Sequence, residues 1–234
     1  MSEALLDNDI IIKVCRYSLG SEAISSIQNL GYAPAFLAAA RFVVEDRLRR
    51  HAPAAGHALT LLKQFLNESQ MIEPTDNEID VAAAFEAAAQ RLNLELDAGE
   101  SLLLAILIER QAALLLTGDK RAIRAIEAIV PEEIQCAIAC LEQLFVTLNS
   151  DWGAPFIQTR VCGDQAADAA LTNSYGCRSG QSSADAVSDG LLSYIEASPP
   201  GLRADCGRHP GATAACSLGR RHRGHAARQR DRWE

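Results

Sequence analysis

The sequence predicts an α/β fold, a central parallel sheet with helices on both faces, followed by an irregular C-terminal extension. Short apolar runs of strand length alternate with longer stretches of helical periodicity as far as residue 149, the pattern of a sheet covered on both sides. A chain of 234 residues, 48% hydrophobic and 22% charged, has enough apolar side chain for one well-buried core with room for an appendage. Aromatics are only 5% while Ala and Leu abound, so the helices should pack through small aliphatic groups.

Ala4-Leu5-Leu6 is a first apolar run, closed by the polar triplet Asp7-Asn8-Asp9. Ile10 to Tyr17 follows; its β-branched start suits either a strand continuing or a helix opening, and propensity does not decide. Helical signal runs through Ser21–Leu30 and breaks at Gly31. Ala35–Arg50 reads as one helix, with Phe36, Ala39, Ala40, Val43, Val44 and Leu48 at helical spacing. Pro53 and Gly56 separate it from a helix over His57–Asn67. Met71-Ile72 is a short apolar segment before Pro74. Thr75 or Asp76 is placed to cap the Ala-rich helix Glu78–Leu92. Ser101–Arg110 is an apolar helix, Ala112–Leu116 a strand closed by Thr117-Gly118-Asp119, and Lys120–Ile129 a helix. Pro131 suits the first turn of a helix over Glu132–Leu148.

Three regions follow: an α/β domain over 1–149, an extension over 150–197 with one helix (Ala184–Ile195), and a basic tail over 198–234. The tail is rich in Pro, Gly, Arg and His without an apolar face, so no fixed structure is expected there. Its Arg content, with no lysine after Lys120, is also what out-of-frame translation of a GC-rich gene would produce. Net charge is −8, but eight Arg against three acids from Ser198 onward leave −13 on residues 1–197. So acidic a body argues against a module that holds nucleic acid by phosphate contacts alone. It is compatible with a carboxylate cluster neutralised by a cation.

Seven cysteines, odd in number and irregularly spaced, suggest free thiols in a reducing compartment. Cys136 and Cys140 have the spacing of one helix face, but no second Cys/His pair completes a zinc site. No apolar run reaches the ~18 residues of a membrane span, and the start has no signal-peptide layout. A cytoplasmic protein without a membrane association is expected.

Ligands in open parallel sheets collect where strands end and loops lead into helices. Leu5-Leu6-Asp7 and Leu114-Leu115-Leu116-Thr117-Gly118-Asp119 each place an acid at that point. If the two strands are neighbours, Asp7 and Asp119 share a rim, and like charges held close call for a cation or a proton. Oxygen-only sites suit Mg²⁺ or Mn²⁺. A third acid lies in Asp97-Ala98-Gly99-Glu100, which is equally a capping box. A fourth is Glu45 or Asp46, which is equally a solvated helix end beside Arg47, Arg49 and Arg50. There is no Gly-rich phosphate loop, no Gly-x-Ser-x-Gly elbow and no Cys/His pair arranged for nucleophilic catalysis.

Taken together, Leu-Leu-Asp-Asn-Asp (5–9), Asp-Ala-Gly-Glu (97–100) and Leu-Leu-Thr-Gly-Asp-Lys-Arg (115–121) resemble the PIN-like nuclease family in order and spacing, over roughly residues 2–148. The resemblance implies a metal-dependent ribonuclease, of the kind often found as the toxin of a toxin–antitoxin pair. It implies Asp7, Glu100 and Asp119 as metal ligands, with Glu45 preferred over Asp46 as the helix acid and Asp97 as the fallback for Glu100. Thr117 and Lys120 would meet a phosphate or orient a carboxylate. RNA as substrate, Mg²⁺ or Mn²⁺ as cofactor, an antitoxin or other protein partner and a homodimer are implied with it. The family often has Thr-Asn after its first Asp; here Asn8-Asp9 stands there, which makes Asp9 an additional candidate ligand. A non-catalytic interaction protein on the same fold, or a degraded gene product, is the alternative. A phosphatase or receiver-type domain also places Asp at strand ends, but the Asp-x-Asp-x-Thr pattern of a phosphatase is missing.

Overall fold

A computed structural model of the chain describes residues 2–180 and 183–197. Five parallel strands form one sheet in the order β3-β2-β1-β4-β5: β1 (Ser2–Leu6), β2 (Tyr32–Leu37), β3 (Gln70–Ile72), β4 (Leu114–Thr117) and β5 (Ile138–Cys140). Ala4, Leu5 and Leu6 of the central strand β1 are buried between its two neighbours.

The chain first moves from β1 towards β3 and then returns to β4 on the other side of β1. Right-handed crossovers therefore put the helices of the first half on one face and those before β4 and β5 on the other. On the first face lie α1 (Asn8–Arg16), α2 (Gly20–Asn29), α3 (Ala40–His51) and α4 (Ala55–Glu68), with α1 packed on α3 and α4. On the second lie α5 (Asp76–Arg91), α6 (Ala98–Glu109) and α7 (Lys120–Ile129), with α5 packed against both others. After the short α8 (Glu132–Gln135) and β5, α9 (Leu141–Trp152) returns to pack on α2.

Several expectations need correcting. The stretch Ala35–Arg50 is not one helix: Tyr32–Leu37 pairs with β1 and β3, and the helix begins at Ala40. Pro34 is accommodated in that strand opposite Ala4, and the sheet on both sides outweighs the local helical spacing. Residues 132–148 likewise divide, because Ile138–Cys140 is drawn into the sheet beside β4. Cys136 and Cys140 consequently do not share a helix face. Ile10–Ile12 resolves as helix, since Asp7 caps it through the Asn8 N–H.

Residues 153–180 hold more structure than the single expected helix of the extension: α10 (Ala154–Gly163) and α11 (Ala169–Ser174) precede the expected α12 (Ala184–Glu196). Ile157, Val161, Leu171, Tyr175, Val187, Leu191 and Ile195 join the same hydrophobic core as the sheet. Phe145 is at the seam, edge-on to Tyr17 of the α/β part and to Tyr175 of the extension. The expectation of free thiols is also corrected, because Cys162 and Cys177 are disulfide-bonded, closing a 15-residue separation in the extension; Cys15 and Cys140 are free and buried. The unstructured tail expected from Ser198, with Cys206 and Cys216, lies outside the described residues. Among the described residues no helix is long and apolar enough to cross a membrane.

Candidate functional site: a carboxylate rim at the switch point

Sheet topology places the site. The direction of chain winding reverses between β1 and β4, and the crevice beyond their carboxyl ends is where open α/β sheets bind ligands. Leu5 pairs with Leu115 and Leu6 with Leu116, so Asp7 and Thr117 emerge side by side. The Asp7 N–H continues the ladder to the Leu116 carbonyl at 3.0 Å. Thr117 Oγ1 donates to Asp7 Oδ2 at 3.1 Å and accepts from the Asp119 N–H at 3.2 Å. One hydroxyl thereby links the Asp7 carboxylate to the backbone of Asp119.

Asp7 is 6% exposed, and its carboxylate accepts from that hydroxyl and from the Asn8 N–H, at 2.6 Å. Burial, then the nearby Asp9 carboxylate, pushes its carboxyl up to about 6, against the two hydrogen bonds. Glu100 is 7% exposed at the first turn of α6. The capping box is real: Asp97 Oδ1 accepts from the Glu100 N–H at 2.8 Å and Glu100 Oε2 from the Asp97 N–H at 3.0 Å. Burial nevertheless pushes Glu100 up to about 8, with Asp97, Asp7 and Asp119 all adding repulsion against that backbone bond. Structural cap and rim acid are thus compatible descriptions of one residue.

Asp119 differs. It caps α7, and Arg121 binds both its oxygens, Nε at 3.2 Å and Nη2 at 2.8 Å, holding the carboxyl below its ordinary range. Lys120 is engaged too, 2.8 Å from buried Glu142 of α9 and 4.8 Å above the Tyr194 ring of α12. Glu45 stands apart from this group: it is paired with Arg49 one turn later, its side chain 43% exposed. Asp46 is paired in the same way with Arg50.

The residue that sequence reasoning missed is Lys13. Its ammonium lies 2.6 Å from Asp9 and 2.7 Å from Asp168 of the extension. Burial would depress this amine, but the two carboxylates outweigh it and its pKa is raised. Asp9 in turn lies over Gly118, where any Cβ would collide with its carboxylate. The Asp9–Lys13 spacing on a helix was a visible signal; Asp168 carried none, being 155 residues away in the chain.

Among the described residues no three Asp, Glu, His or Cys side chains are grouped so as to hold a metal ion as they stand. The donor set is all oxygen, and two of its carboxyls, Asp7 and Glu100, are buried, which is chemistry suited to Mg²⁺ or Mn²⁺. Asp119 would have to leave Arg121 to join such a group. No family model matches the chain, and no curated protein matches it.

Proposed function

We propose that this chain is a PIN-like, metal-dependent ribonuclease, with Asp7, Glu100 and Asp119 holding Mg²⁺ or Mn²⁺. The observation that carries the reading is the Thr117 hydroxyl, which bridges the Asp7 carboxylate and the Asp119 backbone N–H across the β1–β4 switch point, with buried Glu100 near enough to feel both carboxylates. When bound, the cation would supply Lewis acidity and a water acidified towards neutral pH. The chain's own residues hold the acids in place. Thr117 fixes the Asp7 rotamer, the Asp97–Glu100 box fixes the start of α6, and Arg121 holds Asp119 until another positive charge competes for it. The proposal extends to a toxin-type nuclease with RNA as substrate, a protein partner of antitoxin type and a homodimer. A cytoplasmic location goes with it, although the Cys162–Cys177 bond is a counter-observation.

A second reading, a non-catalytic interaction protein on the same fold, is favoured by Arg121 occupying Asp119 and by Glu45 facing Arg49. Calorimetric titration with Mn²⁺ and an RNA cleavage assay separate the two. The nuclease reading expects Asp7→Asn/Asp119→Asn to lower cleavage by more than about a hundredfold, since even outer-sphere partners of metal ligands are worth 10–100-fold. It also expects Arg121→Ala to tighten Mn²⁺ binding by freeing Asp119. A folded wild type that neither binds Mn²⁺ nor cuts RNA, with Arg121→Ala equally inert, would leave the interaction protein as the answer.

A further inference from the structure

The extension grips the α/β part through two acids that sit inside a disulfide loop. Asp164 binds Arg16 with both oxygens, Nε at 2.7 Å and Nη2 at 2.9 Å, and Asp168 lies 2.7 Å from the Lys13 ammonium. Both cations belong to α1, the helix that Asp7 caps at the rim and whose Lys13 also meets Asp9. Both acids fall between Cys162, in the last turn of α10, and Cys177, just past the end of α11, and those two cysteines are joined.

Polar contacts, more than apolar ones, hold this stretch. Val161 and Leu171 anchor its flanks in the core, but between them Asp164 is the only buried side chain. A turn joins the Ala167 N–H to the Asp164 carbonyl at 3.1 Å. The Thr172 hydroxyl is shared between the Gln165 and Asp168 carbonyls, at 2.9 and 2.7 Å. Asp168 also caps α11, accepting the Leu171 N–H at 2.9 Å, and a helix of six residues is too short to persist on its own. Opening the crosslink therefore loosens this stretch first, while the core on either side keeps its packing. Cys162 and Cys177 are half-buried beside exposed Gly163 and Arg178, so a small reductant can reach the bond.

We propose that the Cys162–Cys177 bond is a redox device that sets how firmly the extension holds α1. Closed, it keeps Asp164 and Asp168 on Arg16 and Lys13. A dithiol opens it by thiolate attack on one sulfur, and the reductant's second thiol resolves the mixed disulfide. The S–S bond breaks, two electrons and two protons pass to Cys162 and Cys177, and the reductant leaves as its own disulfide. The freed stretch then lets go of α1, and Asp9 alone keeps Lys13. A compartment that reduces thiols holds the slack form, an oxidising one the tight form. The device stands apart from the nuclease reading, since neither metal nor RNA enters it.

Hydrogen exchange read by mass spectrometry on the full chain, with and without excess dithiothreitol, tests it. The masses of the alkylated peptides carrying Cys162 and Cys177 report whether the bond is closed. With the bond open, α1 is expected to exchange at least about tenfold faster, and α6, on the opposite face of the sheet, to stay unchanged. Cys162→Ser/Cys177→Ser should show the fast α1 exchange without reductant and no further change with it. Asp164→Asn/Asp168→Asn should show it with the bond closed, because the grip itself is then gone. The proposal is overturned if the chain purified without reductant lacks the bond, if dithiothreitol leaves it closed in the folded chain, or if α1 exchange is unmoved once it opens. It is equally overturned if α1 and α6 speed up together, the mark of a staple that only stabilises the whole fold. Wild-type α1 exchange in Asp164→Asn/Asp168→Asn overturns it as well.

Discussion

Replacing Asp7 with asparagine is expected to raise the melting temperature of the cation-free protein at pH 8 while abolishing its stabilisation by Mg²⁺. The physical basis is the Asp7 carboxyl at about 6, against an ordinary value of 3.8. A carboxyl whose folded pKa is raised favours folding fully only below its unfolded value, and that contribution is lost as pH rises through the folded value. Two pKa units correspond to about 3 kcal/mol at most. Asparagine has one acceptor oxygen where Asp7 uses two, for the Asn8 N–H and the Thr117 hydroxyl, which takes back about 1 kcal/mol. The remainder is worth roughly 5 °C in a domain of this size.

The same linkage predicts the pH profile of the wild type. Glu100, pushed up to about 8, follows the same rule as Asp7, so stability without cation should fall as pH rises from their ordinary values of 3.8 and 4.5, steeply to about 6 and more gently to about 8. Glu78 acts oppositely: Arg110 at 2.6 Å holds it at about 2, so its contribution is present above its ordinary 4.5 and is lost in strong acid. Cation and protons compete for the same carboxylates, so Mg²⁺ should raise the melting temperature more at pH 8 than at pH 6. Scanning calorimetry across pH, with and without Mg²⁺, reads both effects. A flat cation-free profile, with Asp7→Asn no more stable than wild type at pH 8, would refute the charged-rim account.

The second large effect is expected at Lys13. Lys13→Met keeps the buried stem but removes the ammonium between Asp9 and Asp168, leaving two carboxylates facing each other without a cation. Breaking a fully buried pair costs about 3–5 kcal/mol; here Asp9 and Asp168 stay 34% and 16% exposed, and solvent screening brings the expected loss down to about 2 kcal/mol. Urea unfolding should show that loss in the midpoint at unchanged slope. Adding Asp168→Asn to Lys13→Met should recover part of it, since one of the stranded charges is then gone. Asp9 is already the second-largest contributor to the raised Asp7 carboxyl, so Lys13→Met should also shift the acid-side stability transition upward. A loss below about 1 kcal/mol would place Lys13 with the surface pairs that contribute little.

Strands and caps were legible in unequal degree. β1 and β4 are continuous apolar runs ended by polar residues, and such runs mark themselves when a strand is buried on both faces. Asp97 was legible because a capping box is a purely local pattern at fixed spacing, while the start of α5 was left between Thr75 and Asp76 until the structure made Thr75 the cap. β2 was not legible: Phe36 fitted the helical stripe continuing to Val44 and Leu48, and nothing local records that Tyr32–Leu37 is sandwiched between β1 and β3. Ile138–Cys140 was hidden for the same reason, three residues being too few for periodicity to show. α10 and α11 have short, broken apolar patterns whose burial comes from contact with distant parts of the core.

What the sequence determined by itself was the α/β class, the two acids at strand ends and the acid opening α6, because each depends on neighbours within a few positions. Only the tertiary structure decided what those acids meet. The β1–β4 register put Thr117 beside Asp7, the return of the extension put Asp168 on Lys13 and Asp164 on Arg16, and the same packing brought Tyr194 over Lys120. Hydrogen bonds and charge pairs act over a few ångströms in space, while the residues that make them are separated by up to 155 positions in the chain. No local periodicity encodes that closeness; the burial of a shared core imposes it.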